Sequence, residues 1–181
     1  MSDQRNLIYA HFLAHSAHLP NSEWLAHMLS SGYAGMSYLS IPACLSPSSY
    51  QKLLDRHFPA ITLPELPPVT LPDMPEKEDL FNLLMSDRNS PDEEIEWIAT
   101  IIIAGCSGNN HLWQDLGLWA RKELTQLLEY NFPQLAAKND QNMKWKKFLY
   151  KQLCLQENVY ICRSPSCAVC VDYIHCFGTE E

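Results

Sequence analysis

The sequence predicts an all-α, mainly helical fold ending in a C-terminal cysteine-rich metal-binding loop. Three observations carry this. Apolar residues recur at helical spacing along most of the chain, no set of alternating strand-like segments occurs, and four cysteines fall between Cys162 and Cys176. The 181 residues suffice for one domain with a sizeable core.

The elements follow in order. Asp3 to His18 places Leu7, Ile8, Phe12 and Leu13 on one face of an amphipathic helix. A second helix starts at Asn21 or Ser22, an N-cap with Glu23 just inside, and ends before Gly32. A third covers Tyr50 to Phe58, introduced by Pro47 and Ser48. HFPAITLPELPPVTLPDMP then carries prolines at 59, 64, 67, 68, 72 and 75, which exclude helix and read as an extended connector. Helix resumes over Glu76 to Met85. The next opens at Ser90 or Pro91, with Asp92, Glu93 and Glu94 in its first turn to suit the helix dipole. It continues through IEWIATIIIAG, apolar nearly all round, and is predicted to be the buried central helix. Gly105 to Asn110 is a break. HLWQDLGLWARKELTQLLEYNFP gives one helical turn, an interruption at Gly117 and a longer helix to about Tyr130. MKWKKFLYKQLC is the last clear helix. The organisation is a single domain over 1–181: N-terminal helices to 58, a connector over 59–75, a helical core over 76–153 and a cysteine-rich segment over 154–178.

Composition narrows the class. An apolar fraction of 46% and a charged fraction of 19% exclude global disorder. No run approaches the roughly 20 apolar residues of a membrane span. The N-terminus lacks the charged start, apolar centre and cleavage site of a signal peptide. The expectation is a cytoplasmic protein with no membrane partner. In a reducing compartment, clustered thiols favour metal binding or catalysis over disulfides, and seven cysteines cannot all pair. A net charge of −8 gives no support to nucleic-acid binding. The basic exception is the stretch from Asn142 to Cys176, where Lys144, Lys146, Lys147, Lys151 and Arg163 outnumber Glu157 and Asp172.

The cysteine spacing is Cys162-x4-Cys167-x2-Cys170-x5-Cys176. Structural zinc sites join two short hooks across a longer excursion, which is missing here. The first three cysteines instead have the C-x4-C-x2-C spacing of plant-type ferredoxins. An iron–sulfur type cluster is therefore favoured over zinc, and zinc over disulfides. On the preceding helix Lys144, Lys147 and Lys151 form a basic stripe, with Trp145, Phe148, Leu149 and Leu153 on the core side. Such lysines favour thiolates and attract oxyanions such as molybdate, although charged stripes are commonly just solvated faces.

MKWKKFLYKQLC (143–154) followed by CRSPSCAVCVDYIHCFG (162–178) resembles the C-terminal signature of the NifQ family, nitrogenase accessory proteins. CSGNNHLWQDLGL (106–118) resembles that family's other recognisable block. The two blocks cover about a quarter of the chain. The resemblance implies a cytoplasmic molybdenum donor for synthesis of the nitrogenase iron–molybdenum cofactor, and no enzyme. It implies iron–sulfur clusters, including a molybdenum–iron–sulfur species. The implied partners are the cofactor scaffold complex, dinitrogenase reductase and a molybdenum source such as molybdate. The family motif falls on Cys162, Cys167, Cys170 and Cys176, and the blocks also have cysteine at Cys154 and Cys106. Sulfur donors suit reduced molybdenum and iron independently of the resemblance. An iron–sulfur electron-transfer protein and a zinc-stabilised interaction module are the alternatives. No Gly-rich phosphate loop, nucleophile elbow or HExxH supports a conventional enzyme.

Cys106, His111 and Asp115 form a second constellation. His111 and Asp115, at i and i+4, would add a nitrogen and an oxygen ligand. Their residue chemistry equally reads as a helix cap, a solvated carboxylate and a buried thiol. Asp172 and His175 lie inside the cysteine segment and would ligate or orient ligands, or face solvent. His11, His15 and His18 have metal-binding spacing on one helix face but read more readily as a polar face. Cys44 reads as a structural thiol.

Overall fold

The computed structural model describes residues 2–66, 69–156 and 173–178; among these, every regular element is a helix, eleven in all. They are α1 (Ser2–Ala14), α2 (Ser22–Tyr33), α3 (Ile41–Cys44), α4 (Pro47–His57), α5 (Lys77–Ser86), α6 (Glu93–Cys106), α7 (Leu112–Leu116), α8 (Arg121–Asn131), α9 (Pro133–Ala137), α10 (Trp145–Gln156) and α11 (Tyr173–Phe177).

α6 is the hub. Ten of its fourteen residues are buried, and α3, α4, α5 and α7 pack on it. Its start is fixed by local chemistry: the Asp92 carboxylate accepts the Glu94 N–H (3.0 Å) as N-cap, and Glu93, Glu94 and Glu96 follow in the first turn. Asp92 also receives both terminal nitrogens of Arg56 (3.0 and 2.8 Å), so the cap is tied to α4. α4 starts similarly, with Ser46 Oγ accepting the Ser49 N–H (3.1 Å) and Pro47 in the first turn.

A polar network crosses the apolar core beside α6. Asn21 Nδ2 donates to Glu94 Oε1 and to Asn131 Oδ1 (3.0 Å), while Asn131 Nδ2 returns a bond to Asn21 Oδ1 (2.9 Å). Arg56 Nε lies 2.9 Å from Glu94 Oε2, and the fully buried His57 lies 3.4 Å from Oε1. Each side chain of the network has at least one polar partner, His57 through its Nδ1 on Ser22 Oγ (3.0 Å), the condition on which such groups are tolerated. The network pins α4, α6 and α8 to the start of α2.

Several expectations are adjusted. α1 stops at Ala14 rather than His18. Its buried face is set by Phe12 (0% exposed), whereas Leu7 is 74% exposed. Asn21 makes no capping bond, because its amide is committed to Glu94 and Asn131. α3 and α9 are additional short helices; each has proline in its first turn, which suits a helix start, but each is too brief to show a period. The described parts of 59–75 form neither helix nor strand, and Ile61, Leu63, Leu71 and Met74 lay the connector against the core. Gly117 (φ +80°) ends α7 in the left-handed conformation, and a Cβ there would meet Ser31 Cβ at 2.7 Å. No described helix is long and apolar enough to cross a membrane.

Candidate functional site

The segment after α6 turns tightly so that α7 can fold back on it. Asp115, near the end of α7, is completely buried. Its carboxylate accepts the backbone N–H of Asn110 (3.0 Å) and the Asn110 side-chain amide (3.0 Å). A third donor comes from α10: the Lys146 ammonium contacts Asp115 Oδ2 and also donates to the Gly108 carbonyl (2.8 Å). The carboxylate presses so closely on the turn that a Cβ at Gly108 would lie 2.3 Å from Asp115 Cγ. A buried charge without partners is very costly, and three donors offset that cost here. The solvated alternative for Asp115 is therefore replaced by a buried anchor.

This ion pair joins the segment 106–118 to the segment 143–154, which are distant in sequence. In the sequence Lys146 stands out only as one cation of the basic stretch, off the outer stripe of Lys144, Lys147 and Lys151. Its signal was present: at 100° per residue it lines up with Leu149, Tyr150 and Leu153, on the flank of the apolar face. Of the outer stripe, Lys147 and Lys151 are exposed and Lys144 is half-buried.

The candidate ligands fall at different places. Cys106, the last residue of α6, is buried, and burial pushes its thiol up to about 12; nearby Lys146 opposes this and Asp115 adds to it. Cys106 is thus a protonated thiol near neutral pH. His111 stands at the N-cap of α7, where its N–H donates to Gln114 Oε1 (3.2 Å) and its carbonyl accepts from the N–H of Asp115 (3.0 Å). Cys154 is half-buried in the last turns of α10.

α11 docks at the opposite end of α10. The Lys144 N–H donates to the Cys176 carbonyl (2.8 Å), and Lys144 Nζ reaches the Ile174 carbonyl (3.4 Å). Cys176 is half-buried against the core and His175 is exposed. Cys154 lies ten residues beyond Lys144, about 15 Å along a helix rising 1.5 Å per residue. The structure therefore brings Cys176 to Lys144 and not to Cys154. Among the described residues, no group of three or more His, Cys, Asp or Glu is arranged to hold a metal ion. Cys162, Cys167, Cys170 and Asp172 lie outside the described residues.

The family model named NifQ matches residues 24–178, which is most of the chain. The chain belongs to the NifQ family. Both blocks that meet at Asp115 and Lys146 lie inside the matched range. Protein NifQ of Azotobacter vinelandii is 41% identical, over 88% of this chain and 89% of its own length. Protein NifQ of Klebsiella pneumoniae is 36% identical, over 88% of this chain and 99% of its own. Protein NifQ of Rhodobacter capsulatus is 33% identical, over 86% and 87% respectively. No solved structure matches the chain. NifQ membership implies a role in nitrogen fixation, in the biosynthesis of the iron–molybdenum cofactor, and links the chain to molybdenum handling.

The described thiols match an iron–sulfur type group in donor type only, and the structure does not gather them into one site. Cys154 and Cys176 are free, half-buried thiols at opposite ends of α10, the basic helix. Thiolate is the ligand such clusters require.

Proposed function

We propose that this protein carries molybdenum for assembly of the nitrogenase iron–molybdenum cofactor, holding it in an iron–sulfur type cluster ligated by Cys162, Cys167, Cys170 and Cys176. The observation that carries the reading is the docking of Cys176 on Lys144, at the N-terminus of a helix that Lys146 bolts to Asp115. That arrangement gives the cysteine-rich end a fixed point of attachment within the range that the family model matches. Lys144, Lys147 and Lys151 supply positive charge for an incoming oxyanion such as molybdate. Cys106, Cys154, His111, Asp115 and His175 are the further candidate ligands. Asp115 is the least available of them, since Asn110 and Lys146 already engage its carboxylate.

The protein acts as a donor and turns over no small substrate. It hands its cargo to the cofactor scaffold complex with dinitrogenase reductase taking part, in the cytoplasm, without nucleic-acid or membrane partners. Sulfur ligands keep the molybdenum in a form close to that of a sulfide-rich product.

The test is a metal and sulfide count on protein purified anaerobically from molybdate-fed cells, read with its low-temperature electron paramagnetic resonance spectrum. Iron, sulfide and molybdenum together, with molybdenum lost on Cys167→Ala or Cys170→Ala, support the donor. Iron without molybdenum after molybdate feeding favours the electron-transfer alternative. Zinc alone overturns the cluster.

A further inference from the structure

We propose that His11, on α1, and His15, in the turn that closes it, form a binding site for one divalent transition-metal ion of the imidazole-preferring class (Zn2+, Ni2+ or Cu2+). The site is separate from the cysteine-rich end, and α1 lies before the segment that the NifQ model matches.

The two side chains stand one helical turn apart on one face of the chain, the spacing at which neighbouring helical side chains meet. Their ring centres are 4.7 Å apart. Two imidazoles bound to one metal at ordinary metal–nitrogen distances place their ring centres roughly 5 Å apart, which matches this separation; the rings stand 65° to each other, so a side-chain rotation brings the nitrogens onto one ion.

The hydrogen bonds fix which nitrogens are free. His11 Nε2 is 3.0 Å from the Thr62 carbonyl oxygen, and His15 Nδ1 is 2.9 Å from the His11 carbonyl oxygen. A carbonyl only accepts, so the proton sits on Nε2 of His11 and on Nδ1 of His15. In the neutral rings, Nδ1 of His11 and Nε2 of His15 are left with lone pairs. Donating one ring N–H to a backbone carbonyl while the other nitrogen binds metal is the usual arrangement of histidine ligands. His11 is exposed and His15 half-buried, so an ion reaches them from solvent.

His18, which the sequence pattern offers as a third ligand, leaves the helical face. α1 has ended by then, and His18 has φ +53° with its N–H on Ser16 Oγ (3.0 Å). The site is accordingly bidentate, with water completing the coordination. Because His11 also holds Thr62, the ion would bind where the proline-rich connector is fastened to α1.

The test compares the chain with its His11→Asn/His15→Asn variant. Both replaced side chains lie outside the buried core, so the variant is expected to fold. Cobalt(II) is titrated as the probe, with bound metal measured by equilibrium dialysis and its ligands by absorption. The variant is expected to bind about one equivalent less, and the lost equivalent is expected to lack thiolate charge-transfer absorption. Equal binding by the two proteins overturns the proposal. So does a lost equivalent that carries thiolate absorption, because that ion would belong to the cysteines.

Discussion

Lys146 Nζ bridges the Asp115 carboxylate and the Gly108 carbonyl, so one cation from α10 closes the turn between α6 and α7. Asp115 is fully buried and the Lys146 side chain is 18% exposed. The two partners are therefore unequal. Lys146→Met leaves a buried carboxylate without its cation and is expected to cost about 3 kcal/mol. Asp115→Asn leaves a lysine that still reaches Gly108 and some solvent, and is expected to cost about 2 kcal/mol. Denaturant titration of both variants and the double variant checks this. Costs that simply add would deny the coupling.

Gly108→Ala is a sharper probe of the same turn. The new methyl would meet Asp115 Cγ at 2.3 Å, and that carboxylate is held by Asn110 and Lys146. With nowhere for Asp115 to retreat, the cost is expected to be about 2 kcal/mol, at the scale of an overpacked core. A melting temperature equal to wild type would show that the turn yields.

Acid should weaken the fold in a defined window. For Glu94, burial raises the pKa most strongly, but the nearby His57 imidazole, the hydrogen bond from Asn21 and the Arg56 charge outweigh it. For Glu123, burial likewise raises it, but His27 (3.2 Å) and the Trp119 N–H (2.7 Å) outweigh it. Both therefore titrate below the ordinary value of 4.5. The unfolded chain binds these protons first, so their contribution is complete above pH 4.5 and is lost as pH falls through the lower folded values. Stability measured between pH 6 and about pH 3 should fall, and Glu94→Gln should flatten that slope. An unchanged slope in the variant would remove Glu94 from the account.

The thiols should differ in reactivity. Burial pushes both Cys44 and Cys106 up to about 12, and Cys44 Sγ donates to the Ile41 carbonyl (3.1 Å). Since the thiolate is the reactive form, both should resist iodoacetamide at pH 8 until the protein is denatured. Peptide mass spectrometry gives the answer, and rapid native labelling of either residue would contradict its raised pKa.

The helices were legible wherever a long apolar period met a start signal. Asp92 and the isoleucines of α6 show both. α3 and α9 were not, since four or five residues cannot display a period. In α1 the period was visible, but Leu7 and Ile8 differ in exposure only because of which neighbours α1 meets. The site was legible by residue type more than by placement. Cys106 and Asp115 stood out in the sequence, yet the burial of Asp115 depends on Lys146, thirty-one residues away. No local pattern expresses a pairing across that separation. Asn21 misled for the same reason, its capping chemistry being used by Glu94 and Asn131 instead.

Asp115 also serves through its main chain: its carbonyl accepts the N–H of Leu39 (2.9 Å), while its side chain holds the N–H of Asn110 (3.0 Å). Two amides far apart in the sequence are thus shielded by opposite ends of a single residue. Neither can be released by moving Asp115 without disturbing the other. In native-state hydrogen exchange, Leu39 and Asn110 should therefore open together with similar protection, as one cooperative unit assembled from distant parts of the chain.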